Sequence, residues 1–558
     1  MNEWLAALQA GLEEKRRGLR SPRGVVVTPQ PLAAKVGAQV LREGGNAIDA
    51  AIATALAQGV IDPFMCGIGG FGCLVLHSAE QGRSIAVNYH GTAGSLARPD
   101  VFADKVIGQI HGHGERYEVK DAENQIGYRS VVVPGTIAGL DAAHRQFGRL
   151  PWPVLFEPAI ALARDGIPLP GEVYARWVER SEPGHRTGRE RINATPGCAA
   201  LFAPGNQMLL PGQTLSQPSY GDTLERLARK GAEDFYRGEI AQVIAEEFAR
   251  NDGFITGQDL RDYETTTSEA VSGSYRGHRI LSVPLPASGG QLMQMLGVLE
   301  EFDLASIRRL DPELYLHVVG RAMLAGFRDR SLYMGDPKFV DVPVAWLGSE
   351  EHRRELAELV CSDQEITIPS LAYRESPYTT NLSVLDSEGN AVALTHTLGS
   401  ASGVVIPSLG FVFNNCMYQF NPIPGTPNSI APGKSRLSGI CPTVVLRDGR
   451  PLAALGGLGG TRILTAVMHM ILNLIDHRMS PVECVDAPRF HAEGAWLEME
   501  ARLSHELGAG LMARGWRVRP SAYGYDRAFA VAQLAVRDGA GAFQGGSDPR
   551  GGGGIAFA

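Results

Sequence analysis

Thr379 and Thr397 are the residues of this chain whose type and spacing could support nucleophilic chemistry. They lie in SPYTTNLSVLDSEGNAVALTHTL, residues 376–398, where two β-patterned runs flank Ser387-Glu388-Gly389. A three-residue loop ending on Gly, where a left-handed backbone is wanted, predicts a hairpin. With the hairpin centred on Glu388, Thr379 falls opposite Thr397 at the open end. One face then carries Thr379, Asn381, Ser383, Ala391, Ala393, Thr395 and Thr397, all small or polar. The other carries Leu382, Val384, Val392 and Leu394, which belong in a core. Paired threonines are also an ordinary way to stabilise a ribbon, so spacing alone leaves a catalytic and a structural reading open.

A second candidate is GGLGG, residues 456–460, between the apolar run PLAAL and a helix expected from Thr461. Backbone N–H groups at such a turn can hold a developing negative charge, assisted by the helix N-terminus. The same glycines also read as a plain strand-to-helix turn. No Lys-Ser/Thr follows them, and their spacing does not fit a dinucleotide fingerprint.

The elements that must position these residues come from a chain of 558 residues, 44% apolar and 20% charged, with 67 glycines. That mix describes a folded body with a large core. Lys+Arg 52 against Asp+Glu 60 leaves a net charge of −8, and no basic stretch stands out, so nucleic acid is not an expected partner. No run reaches the roughly 18 to 20 apolar residues that span a bilayer. The longest, Leu464 to Ile475, carries His469 and reads as a buried helix. Near the N-terminus Trp4, Leu5, Leu8 and Leu12 recur at helical spacing ahead of a charged cluster. This is an amphipathic helix and not a secretory signal, and it leads to an expected cytoplasmic location.

Seven scattered cysteines (66, 73, 198, 361, 416, 441 and 484) without CxxC spacing read as reduced thiols. The first 75 residues read strand, helix, helix, Gly-rich loop CGIGGFG, strand. Residues 106–128 read as an exposed loop, and its His111 and His113 are too few for a metal site. Residues 150–380 read as mainly helical, with helices near 222–231, 237–250, 289–302 and 312–330. Strands dominate from about 379 onward, and the terminal glycines 551–554 precede a last strand, IAFA.

TTNLSVLDSEGNAVALTHTL resembles the start of the small subunit of γ-glutamyltransferases, members of the N-terminal-nucleophile hydrolases. The resemblance runs along nearly the whole chain: LREGGNAIDAAIA at 41–53, CGIGGFG, VPGTIAGL at 133–140, LPASGGQ at 285–291 and DRSLYMGDP at 329–337. It continues through LSGICPTVV at 437–445, GGLGGTRI at 456–463, DAPRFH at 486–491 and SDPR at 547–550. It implies a four-layer αββα sandwich, built as one composite body from a large part, 1–378, and a small part, 379–558. It also implies that the chain is an inactive precursor. The Thr379 hydroxyl would attack the carbonyl before it, and hydrolysis of the ester would cut Tyr378–Thr379. The freed α-amino group, with a reference pKa of about 7.7 to 8.0, would serve as the local base. Thr397 would orient Thr379, Gly459 and Gly460 would donate to the oxyanion, and the two chains would stay together as a heterodimer. Neither a metal nor an organic cofactor is expected.

The sequence departs from the family where the donor's amino acid head group is gripped. An Arg is expected at His90, in VNYHGTAG, to meet the α-carboxylate. An Asp is expected at Gln419, in NNCMYQF, to meet the α-ammonium, and a Gln at Cys416. Ser438 matches the first of two pocket serines, and Gly439 replaces the second. Asn381 stands where His is usual, and Gly399 where Asn is usual. A neutral Gln at 419 forgoes a charge-assisted contact worth several kcal/mol to an amine. These departures predict an acylase for a glutaryl-type donor, as in the cephalosporin acylase branch, with weak γ-glutamyl transfer; a protonated His90 could meet the distal carboxylate. A γ-glutamyl hydrolase or transpeptidase using glutathione-like donors, an oxamate-type amidohydrolase and a non-maturing binding protein are the alternatives. In each enzymatic reading the partner is a small-molecule amide.

Overall fold

The computed structural model describes residues 23–110, 116–179, 184–368 and 379–558. The expected N-terminal amphipathic helix, His111, His113 and Tyr378 lie outside the described residues.

Two antiparallel sheets form the centre. Their strands, in chain order, are β1 (Gly24–Thr28), β2 (Phe71–Ser78), β3 (Arg83–Tyr89), β4 (Thr266–Glu269), β5 (Val271–Tyr275) and β6 (His278–Ser282). Then follow β7 (Thr380–Asp386), β8 (Ala391–Thr397), β9 (Thr443–Arg447), β10 (Arg450–Leu458), β11 (Val531–Arg537), β12 (Phe543–Ser547) and β13 (Gly554–Phe557). The first sheet has seven strands in the order β13-β1-β7-β8-β2-β3-β4, and the second has six in the order β12-β11-β10-β9-β6-β5. Val25, Val27, Val75, Leu385, Ala391 and Ala393 of the first sheet meet Leu281, Val444, Leu446, Ala454, Ala535 and Phe543 of the second. The expected four-layer αββα sandwich is the architecture found, because each sheet's other face is covered by helices.

On the first sheet lie α1 (Pro31–Arg42), α2 (Ala47–Ile61) and α3 (Thr136–Phe147). Every residue of α2 is buried, as its Ala-rich, apolar circumference requires. Its start is set by a capping box in which the Asn46 side chain accepts from the Ile48 and Asp49 N–H groups at 3.0 Å. The second sheet is covered by α4 (Gly289–Leu299), α5 (Pro312–Tyr333) and α6 (Arg462–Ile475). The last is the expected buried helix, with His469 Nε2 donating to the Phe490 carbonyl, 2.9 Å away. Among the described residues no helix is long and apolar enough to cross a membrane. All seven cysteines are thiols, and six are buried.

Two expectations are corrected. Residues 150–380 contain the helices read from periodicity, Pro218–Lys230, Glu239–Arg250, α4 and α5, but also strands β4, β5 and β6. β4 (TTSE) and β5 (VSGSY) are edge strands rich in Thr, Ser and Gly, so they lack the apolar alternation that marks an inner strand. Residues 106–128 are not one loop: Val106–Ile110 pairs with Arg116–Val119, and Asn124 and Gln125 are buried. Both faces of the β7–β8 hairpin are buried. The small face meets the second sheet, a requirement that becomes visible only when the sheets are stacked.

Candidate active site

The β7–β8 hairpin has the register expected from its loop, with Cα partners running from Thr380↔His396 to Leu385↔Ala391. The Asp386 N–H closes the loop on the Asn390 carbonyl at 3.1 Å, and Gly389 has φ +93°. At the open end the Thr379 hydroxyl donates to Thr397 Oγ1 at 3.2 Å. The Gly399 N–H donates to the same oxygen at 2.8 Å. Both threonines are buried, at 5% and 1% exposure, so the pair is shielded from bulk water.

The segment after Thr397 is pinned on both sides. Leu398 N–H donates to the Met65 carbonyl at 3.0 Å, and Asn415 N–H to the Leu398 carbonyl at 3.0 Å. A side chain at Gly399 would overlap the Asn415 carboxamide oxygen. That oxygen accepts from the Ser400 N–H at 2.7 Å. The Asn415 carboxamide therefore occupies the space that a side chain at 399 would enter. Asn381 is equally accounted for: its Nδ2 donates to the Leu394 carbonyl at 2.8 Å and to Thr395 Oγ1 at 3.1 Å.

Behind β7 lies a polar set that sequence reading missed. Gln58, in the last half of α2, donates through Nε2 to Thr380 Oγ1 at 3.0 Å and to Gln30 Oε1 at 2.8 Å. Its Oε1 lies 3.0 Å from His396 Nε2. Gln30 donates to Asp62 Oδ2 at 3.1 Å, and Asp62 pairs with Arg176. A Gln in the last half of an Ala-rich, fully buried helix was the available signal.

The sheets' stacking brings the glycine turn to the threonines. A Cβ on Gly456 would overlap the Asn381 carboxamide, so β7 lies directly on β10 there. Two residues back along β7 is Thr379, and two to three residues on along β10 is Leu458–Gly459. Gly459 has φ +135° and Gly460 φ +68°, left-handed conformations that turn the chain from β10 into α6. A Cβ on Gly459 would stand 2.7 Å from Ala530 Cα. Gly439 belongs to the same corner, since its Cβ would lie 2.6 Å from the Gly460 carbonyl oxygen. A serine there would displace the turn. Ser438 is held by its N–H on the Pro286 carbonyl at 2.8 Å, while its carbonyl accepts from Ser288 Oγ at 2.7 Å and Arg330 Nη1 at 3.2 Å. Four sequence blocks thus meet at one point. Two more, DAPRFH and SDPR, meet beside Ala530. Arg489 Nη1 lies 2.7 Å from Asp548 Oδ2, and Arg550 bridges Asp548 and Glu500 at 2.9 and 2.6 Å.

The remaining expected pocket residues gather around a cation that sequence reading did not single out. Arg436 is buried; its Nε donates to Cys416 Sγ at 3.3 Å and its Nη1 to the Leu437 carbonyl at 3.0 Å. Its guanidinium lies 5.6 Å from the centroid of the Phe71 ring. The Cys416 thiol lies 3.7 Å from Gln419 Oε1, and Gln419 is 3% exposed. His90 sits beside the same ring, 6.0 Å between centroids. His90 Nδ1 lies 2.7 Å from Asn88 Oδ1, an acceptor, so Nδ1 carries the proton. Burial first, and Arg436 second, push the His90 pKa down to about 3. A protonated His90 is therefore not the cation of this pocket at neutral pH.

His396 and His469 are likewise pushed from 6.5 down to about 3, burial being the largest cause. Below about pH 6.5 the unfolded chain binds protons that these three folded-state rings refuse. Their contribution to stability is complete above that value and is lost as pH falls toward 3, at about 1.4 kcal/mol per ring per pH unit. Thermal melting is expected to show Tm falling below about pH 6.5, with a shallower fall in His396→Gln. A level Tm through this window, or a variant with the parent's slope, contradicts the assignment.

A family model described as Gamma-glutamyltranspeptidase matches residues 33–558. Acylase ACY 1 proenzyme of Pseudomonas sp. (strain V22) is 36% identical over 503 residues, spanning 89% of this chain and 87% of that protein. Glutathione hydrolase proenzyme of Escherichia coli (strain K12) is 33% identical over 503 residues, 87% of this chain and 83% of that protein. Among solved structures, a cephalosporin acylase from Bacillus halodurans superposes with a TM-score of 0.85 at 28% identity, covering 97% of this chain and 96% of that one.

Proposed function

The chain belongs to the gamma-glutamyltranspeptidase family, and from that premise we propose that it is a self-cleaving threonine acylase that removes glutaryl-type groups from amides. That it is an amide hydrolase and acyltransferase made as a proenzyme follows from its relatives. In the proposed maturation, Thr379 Oγ1 attacks the Tyr378 carbonyl. The peptide C–N bond breaks, the proton goes to the released Thr379 nitrogen, and water opens the resulting ester. Residues 1–378 and 379–558 stay together, because β7 and β8 lie between β1 and β2 in one sheet and neither part can bury that sheet alone.

In turnover the new α-amino group takes the proton of Thr379 Oγ1 as that oxygen attacks the substrate carbonyl. Thr397, whose oxygen is held by the Gly399 N–H, keeps the attacking hydroxyl in one rotamer. The turn at Gly459 and Gly460 supplies N–H donors to the oxyanion, fixed in place before the charge develops. The amine departs with the proton, and water then releases the acyl group from the ester.

The observation that carries the donor assignment is Gln419, a neutral, buried amide at the position where a head-group ammonium would need a carboxylate. Hydrolysis of glutaryl and γ-glutamyl p-nitroanilides by the matured protein tests it. Preference for the glutaryl donor by about 10²-fold or more in kcat/KM is expected. The opposite preference would make the chain a γ-glutamyl hydrolase or transpeptidase.

A further inference from the structure

The proposed glutaryl donor ends in a carboxylate, yet His90 is neutral and Gln419 uncharged, so the pocket's cation must come from elsewhere. We propose that Arg436 binds the distal carboxylate of the acyl donor and sets the enzyme's preference for carboxylated acyl groups. The inference rests on the acylase reading above and adds the residue that reads the far end of the substrate.

Position is the first argument. Thr379 and Thr397 share one face of the first sheet, and the Cα partner of Thr397 on the next strand is Phe71. Strands are spaced about 4.8 Å apart, so β2 lies roughly 10 Å across the sheet from β7. Arg436 lies over the Phe71 ring of that strand, 5.6 Å from its centroid. An extended glutaryl chain puts about 5 Å between its reacting carbonyl carbon and its carboxylate carbon. A near-attack separation of about 3 Å at one end and a charge-assisted hydrogen bond of about 2.8 Å at the other complete the span. Shorter acyl groups would leave the guanidinium out of reach.

Environment is the second. Arg436 touches Cys416, and Cys416 touches Gln419, so the cation and the neutral amide belong to one pocket wall. A planar guanidinium has the forked geometry that a carboxylate accepts bidentately, and the Phe71 ring packs against this one. Its charge also holds His90 unprotonated. Of the two residues beside the Phe71 ring, Arg436 and not His90 carries a positive charge.

The test uses the matured enzyme with glutaryl and pentanoyl p-nitroanilides, which differ in the distal carboxylate. In Arg436→Met, kcat/KM for the glutaryl donor is expected to fall about 10²–10³-fold, while the pentanoyl rate changes less than about threefold; Arg436→Lys should recover part of the loss. Self-cleavage of each variant and its pentanoyl rate report that the site is assembled. Equal losses on both donors would mean that Arg436 only supports the fold, and an unchanged glutaryl rate would remove it from recognition. Either outcome overturns the proposal. Should the parent enzyme prefer γ-glutamyl donors, the acylase reading fails separately. γ-Glutamyl and γ-aminobutyryl anilides then form the pair: a loss confined to the carboxylated donor still supports Arg436, and an equal loss overturns it.

Discussion

Thr379→Ala is expected to stay a single polypeptide near 59.8 kDa on a denaturing gel while the parent chain divides before residue 379. Its turnover should fall at least about 10⁴-fold, the scale seen when a covalent nucleophile is removed. Two functions are lost at once, because the same oxygen performs scission and acyl transfer. The fold should survive. Among the described residues the substitution deletes the hydrogen bond from Thr379 to Thr397 at 3.2 Å, worth about 1 kcal/mol. Thr379→Ser retains an oxygen at the same place, so it should still mature, though slowly. Mass spectrometry and an acyl-donor assay decide the matter. An alanine variant that is still cut before 379, or that still turns over substrate, would refute the assignment of the nucleophile.

Asp548→Ala should be the most damaging substitution for stability. Asp548 is 1% exposed and takes Arg489 at 2.7 Å, Arg550 at 2.9 Å and the Ala532 N–H at 2.9 Å. Removing it leaves the Arg489 guanidinium buried beside backbone carbonyls without its carboxylate, a cost of about 3–5 kcal/mol. The damage reaches the site because Arg489 also donates to the Ala530 carbonyl at 2.9 Å, and Ala530 is the wall against which Gly459 turns. A lower Tm should therefore come with slower self-cleavage. Asp548→Asn keeps an acceptor without the charge and should fall between. A melting temperature within about a degree of the parent's would show that the network is dispensable.

Much of the catalytic end was legible because it depends on local rules. The loop Ser387-Glu388-Gly389 sets the hairpin register, and a period of two then places Thr379 opposite Thr397. The turn at Gly459–Gly460 was legible for the same reason, since a strand, adjacent glycines and a helix follow in order. Arg436 was not. It stands alone in KSRLSG, and nothing local says that its guanidinium reaches over Phe71, on a strand far away in the chain. His90 shows the converse: its type suggested a charge, but burial and a neighbouring guanidinium hold it neutral.

Residue order alone determined which oxygen faces which across the β7–β8 ribbon, where the chain turns, and which stretches are apolar enough to be covered. Those properties arise from neighbours a few residues apart. How β7 lies on β10, how DAPRFH meets SDPR, and which side chain carries the pocket's charge were settled by the stacking of two sheets. Stacking is set by side-chain volume and by burial across distant segments. Asn381 therefore fits because position 456 is glycine, a relation between two residues that no local pattern contains.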